Sequence, residues 1–164
     1  MNTVMCLKLI WQIQSSKESL WVKWLHCYLI RKGSFWSVNG NTSIGSWIWR
    51  KLLKMRDLAQ EFFKMEVRNG KDTCFWYDNW SKYGCLKDVL GDNRFDLGIS
   101  HKESVAEVFA KHRRRRHRVP ILNEVENEIE DLQQRNCSED DISLWNREMI
   151  SLAVASQQRK RGHS

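Results

Sequence analysis

Residues 111–118 read Lys-His-Arg-Arg-Arg-Arg-His-Arg, six fixed positive charges in eight positions. Residues 119–145 answer them with eight acidic side chains against one basic. Such blocks allow two arrangements. In one the run lies open to a polyanion, and each phosphate it contacts releases counterions and makes binding salt-dependent. In the other the acidic stretch, tethered next to the run, neutralises it. The open run is the expectation adopted. Clusters of this kind also serve as nuclear import signals.

The remaining charge is just as uneven. Residues 1–65 hold ten Lys/Arg against three Asp/Glu, a surplus equal to the net +7 of the whole 164-residue chain. That length suits one domain with a real core and does not require two. With hydrophobic residues at 41% and charged residues at 29%, wholesale disorder is not expected, but little apolar material remains per helix. A single proline favours helices over a loop-rich build.

Helical periodicity is the commonest signal. Val4–Gln14 suits a short helix. Ser15 and Glu18 form a capping-box pair ahead of a helix over 16–31, with Leu20, Trp21, Trp24, Leu25, Tyr28 and Leu29 as its apolar stripe. In this reading Trp21 and Trp24 are core residues. Phe35 and Trp36 anchor a Gly- and Ser-rich loop, and Trp36 and Trp80 are the tryptophans free to meet a partner. A longer helix over 46–64 follows, with Ile48, Leu52, Met55, Ala59 and Phe62 along one face. Met65 to Arg68 alternates, Asn69-Gly70 suits a tight type I′ turn, and Thr73 to Tyr77 is strand-forming, which predicts a β-hairpin over about 65–77. Ser100 and Glu103 predict the cap of a helix through Val105, Val108 and Phe109 that runs into the arginines. Pro120 fits the first position of an acidic amphipathic helix with Ile121, Val125, Ile129 and Leu132 on one side. The fold class expected is mainly α with one small β-hairpin, and it need not be a complete autonomous domain. The segments expected are a Trp-rich helical part at 1–110, the basic run with its acidic helix at 111–145, and a disordered tail at 146–164.

No catalytic constellation emerges. Asp78 is followed by Asn79 and not by a second aspartate, so it suits a turn or cap better than a two-metal site. Asp88, Asp92 and Asp96 lack the glycine and glutamate of a calcium loop. The five cysteines have no C-x-x-C pair and no zinc spacing, and free thiols in a reducing compartment are expected. Neither a secretory signal nor a membrane span is evident. The chain is expected to be intracellular, in the nucleus rather than the cytoplasm, with no enzymatic activity, no metal and no cofactor. The candidate nucleic-acid contacts are Arg50, Lys51, Lys54 and Arg56, together with Lys111, Arg113, Arg114, Arg115, Arg116 and Arg118. Trp21, Trp24, Trp47 and Trp49 lie beside cations, a combination that can stack on unpaired bases.

Several ordered motifs carry a family resemblance. Leu20-Trp21-Val22-Lys23-Trp24, Gly33-Ser34-Phe35-Trp36 and Ser46-Trp47-Ile48-Trp49-Arg50-Lys51-Leu52-Leu53 come first. Arg56-Asp57-Leu58-Ala59, Phe75-Trp76-Tyr77-Asp78-Asn79-Trp80, Asp88-Val89-Leu90-Gly91-Asp92, the run 112–118 and Asp141-Ile142-Ser143-Leu144-Trp145 follow. Over about residues 5–145 the chain resembles reverse transcriptases of plant non-LTR (LINE-type) retrotransposons. In that family the matching region lies between the polymerase core and a Cys/His-rich zinc-binding segment, so the resemblance implies a connector. The resemblance implies a non-catalytic fragment of such a polyprotein, and the basic segments 46–56 and 111–118 make RNA or single-stranded DNA binding its expected activity. The palm aspartates and the zinc ligands of the family have no counterpart here, and the chain leaves the family pattern after Trp145. The alternative is an inert remnant, or a protein-interaction module without nucleic-acid binding.

Overall fold

A computed structural model describes residues 2–146 together with positions 148, 151 and 155. The tail expected to be disordered therefore lies almost wholly outside the described residues. The chain is mainly α with a small antiparallel hairpin, as the sequence predicts. Its described residues belong to two compact units, one built from 1–31, 38–64 and the chain from 143 onward, the other from 32–37 and 65–142. The expected boundary at 110/111 thus falls inside the second unit.

In the first unit Thr3–Ser15 (α1) begins at Asn2, whose side chain accepts the Val4 amide, and it buries Cys6, Leu7, Ile10 and Ile13. Ser15 still belongs to α1 and donates its hydroxyl to the Trp11 carbonyl at 2.8 Å. The expected Ser15–Glu18 box is absent, and Glu18 pairs with Lys23 instead. The next helix is shorter than predicted. Leu20–Leu25 (α2) passes into a π-helical turn over His26–Ile30. Its buried residues are Val22, Leu25 and Ile30, while Trp21 and Trp24 are 39% and 50% exposed. Of the expected core stripe only Leu25 is buried; Leu20, Trp21, Trp24 and Tyr28 face outward, because Val22 shares the buried side with Leu25, three residues on, and leaves the tryptophans on the other side.

Ser46 caps Trp47–Lys54 (α3) by accepting the Trp49 amide at 3.3 Å. The predicted single helix over 46–64 breaks at Met55 (φ −91°, ψ 0°) and resumes as Arg56–Gln60 (α4). Trp49, Leu52 and Leu53 form the buried side of α3, with Trp49 taking the place expected of Ile48. Phe63–Glu66 (β1) alternates buried and exposed residues. It pairs not with its sequence neighbour but with Ile142–Trp145 (β4). The Asn146 amide donates to the Phe62 carbonyl at 2.9 Å, and the Trp145 ring packs 5.5 Å from Trp11 and 6.3 Å from Phe62.

The expected hairpin over 65–77 does not form, and the physical reason is Asp141. Its buried carboxylate accepts the amides of Arg68 (2.6 Å), Gly70 (2.9 Å) and Asp72 (3.2 Å) and the Thr73 hydroxyl (2.7 Å). Those amides are no longer available to a strand ladder. Beyond them Thr73 and Phe75 bond to the start of a later helix, Val105–Lys111 (α6), through Val105 N to Thr73 O (2.9 Å) and Phe75 N to Glu103 O (3.0 Å). The observed hairpin is Asn79–Ser81 (β2) with Gly84–Cys85 (β3), followed directly by Leu86–Leu90 (α5).

Phe75 and Trp76 sit edge to face at 5.0 Å in the core of this second unit, and Trp80 packs 5.4 Å from Phe75. The Trp80 indole N–H donates to the Phe75 carbonyl at 2.8 Å. Trp36 and Trp80, expected to be free for a partner, are each only 6% exposed. Phe35 and Trp36 do anchor their loop, as core residues. Asp78 is the turn residue expected. It is buried and accepts the Cys74 amide at 2.7 Å. Burial pushes its carboxyl up to about 7. Burial, and secondarily the charge of Asp78, pushes the Cys74 thiol to about 12 and removes it as a nucleophile.

Candidate nucleic-acid interface

Two elements define the arginine run. Ser104 and Glu107 form the capping box of α6, four residues later than the pair singled out in the sequence, and α6 ends at Lys111. His112 turns the backbone extended (φ −73°, ψ 134°), so the run is not a helix end. Pro120 opens Pro120–Arg135 (α7) at its first position, where the missing amide hydrogen costs nothing. The buried side of α7 is Leu122, Val125, Glu126 and Ile129, with Leu122 in place of Ile121.

Glu126 is the one charge on that buried stripe, and it explains the path of the run. Its two carboxylate oxygens accept from His112 Nε2 at 2.8 Å and His117 Nε2 at 2.9 Å. The Arg115 amide adds a third bond at 3.3 Å. Glu126 is 1% exposed, and each imidazole is 8% exposed. Burial disfavours the charged carboxylate, but the hydrogen bonds from His117, His112 and the Arg115 amide outweigh it and hold the group below the ordinary glutamate range. Asn123 fastens the far end, accepting the His117 amide at 2.9 Å and donating to its carbonyl at 2.8 Å.

The histidines at positions 112 and 117 thus turn inward, and the arginines between them remain at the surface. Arg114 meets Glu130 and donates to Asn127 at 2.6 Å. Lys111 pairs with Glu103 at 3.6 Å. Arg113, Arg115, Arg116 and Arg118 are exposed. An open cavity of about 540 Å³ is lined by Arg114, Arg115, Arg116 and Asn123. Glu124 and Glu128 do not face the run. They hold the β2–β3 hairpin, through the Tyr83 hydroxyl in one case and the Ser81 hydroxyl (2.6 Å) and Lys82 amide (2.8 Å) in the other. The acidic helix therefore fixes the run at two carboxylates and leaves most of its guanidinium groups outward.

The other candidate cations lie in the first unit. Arg50 and Lys54 are exposed on α3, Lys51 is half-buried, and Arg56 donates to the Val38 carbonyl. Trp47 is 59% exposed, whereas Trp49 is core. Sequence reasoning missed Glu126, Asn123 and the two histidines as positioning groups. The available signal was a glutamate in register with Leu122, Val125 and Ile129. Among the described residues no group of three or more His, Cys, Asp or Glu is placed to hold a metal ion, and no helix is long and apolar enough to cross a membrane. No protein-family model, curated protein or solved structure matches the chain.

Proposed function

We propose that the chain is a non-catalytic nucleic-acid-binding piece of a non-LTR retrotransposon reverse transcriptase-like polyprotein. It binds RNA or single-stranded DNA through the arginines of residues 113–118. The observation that carries this reading is the cavity bordered by Arg114, Arg115 and Arg116 on a segment whose backbone is already held by Glu126 and Asn123. Guanidinium groups fork onto phosphate oxygens. A segment fixed before binding loses less conformational freedom when it meets a polyanion. The order of the tryptophan motifs supports the family assignment.

Arg113, Arg115 and Arg116 changed together to Gln should lower the magnitude of the salt slope for a single-stranded oligonucleotide by about two, since each phosphate contact contributes about 0.7. Affinity should fall with it. Arg114→Gln, which removes a guanidinium already engaged by Glu130, should change the slope by less than any of the three. A triple variant with wild-type affinity and slope would overturn the proposal.

A further inference from the structure

The outward side of α2 and its π turn has no role in the arginine site. Leu20 is 84% exposed, Trp21 39%, Trp24 50% and Tyr28 61%, while Val22, Leu25 and Ile30 of the same element are buried. Three of the four exposed side chains are aromatic. The Trp24 and Tyr28 rings lie 5.5 Å apart at an interplanar angle of 32°. The element ends on Arg31, exposed and held at φ 62°, a backbone region that non-glycine residues seldom adopt; its amide closes the π turn on the His26 carbonyl at 2.7 Å. π turns and such strained residues occur disproportionately at functional sites.

Charge indicates what would cover this face. Residues 1–31 and 38–64 of the same unit carry nine Lys/Arg against three Asp/Glu. An aromatic surface on so cationic a unit suits a ligand that is planar and apolar at intervals yet anionic along its length. We infer that Trp24 and Tyr28, with Trp21 beside them, form a stacking platform for unpaired bases of a single-stranded polynucleotide. Base–aromatic stacking tolerates any sequence because every base has a π face. The inference rests on the nucleic-acid reading above and adds a second contact class, base stacking, within the first unit.

The test compares a twelve-residue oligothymidylate with an abasic deoxyribose-phosphate oligomer of the same length, using fluorescence anisotropy and the whole chain. Wild type should bind the oligothymidylate more tightly. The double variant Trp24→Leu/Tyr28→Leu, which keeps an apolar surface but removes the rings, should lose about tenfold on oligothymidylate and nothing on the abasic oligomer, with its salt slope unchanged. Trp24→Phe/Tyr28→Phe should retain most of the affinity, which separates loss of stacking from a folding defect. Equal wild-type affinity for both oligomers, or a Leu variant that binds oligothymidylate like wild type, overturns the inference while leaving the arginine site standing. A wild-type dimer in sedimentation that the Leu variant dissolves, with oligothymidylate affinity unchanged, assigns the face to a second copy and also overturns it. Wild type that binds neither oligomer removes the nucleic-acid reading itself.

Discussion

Gly70 occupies a position that few other residues could fill. Its φ is 70°, its amide donates to Asp141, and its carbonyl accepts the Ala106 amide at 2.9 Å. A Cβ there would meet Ala106 N at 2.8 Å and the Val105 side chain at 3.1 Å. Gly70→Val combines strained backbone with a clash against a helix start, and should cost about 3 kcal/mol. A urea melt reads the change, and an unchanged midpoint would refute it. The need for positive φ was legible in Asn69-Gly70. The partner was not, because Asp141 lies seventy-one residues further on and looks like any other acid in an acidic stretch.

Elements show the same division between local and distant information. Ser46 before α3 and Pro120 at the start of α7 are local signals, and both helices begin where those residues place them. The buried side of α2 was legible only at Leu25, because apolar residues occupy both of its sides. The candidate cations on α3 and in the run could be found from charge alone, but not the inward histidines that shape the run. That shape gives a pH dependence. Glu126 titrates below its ordinary 4.5 in the fold, so its contribution to stability is present above 4.5 and is lost as pH falls through the folded value. Glu126→Gln should therefore lower the unfolding midpoint near neutral pH, and the gap from wild type should close on acidification below 4.5. A gap of constant size from about pH 6 to about pH 3 would show that the carboxylate charge contributes nothing.

At the level of the whole molecule, each unit depends on chain segments far apart in sequence. The first includes 143–145 beside residues from the N-terminal third, and the second relies on α7 and Asp141. A chain ended at Arg118 lacks the Trp145 ring that packs on Trp11 and Phe62, and the carboxylate that holds residues 68–73. It should lose the cooperative thermal transition and the near-ultraviolet dichroism of its tryptophans. Retention of a wild-type transition would refute this.

Asp141 also sets an order of events during synthesis. Its four bonds join residues 68 to 73 positions apart, so a growing chain presents the amides of Arg68, Gly70 and Asp72 to water until residue 141 has been made. A strand-prone segment, Thr73 to Tyr77, waits beside them. Thr73 and Phe75 find their partners once residues 103–105 are made, but the three amides stay open to pairing with another nascent chain through the whole interval, a hazard that vectorial folding of N-terminal segments relieves only when the stabilising contacts are near in sequence. The arrival of one carboxylate ends the exposure, and it does so late.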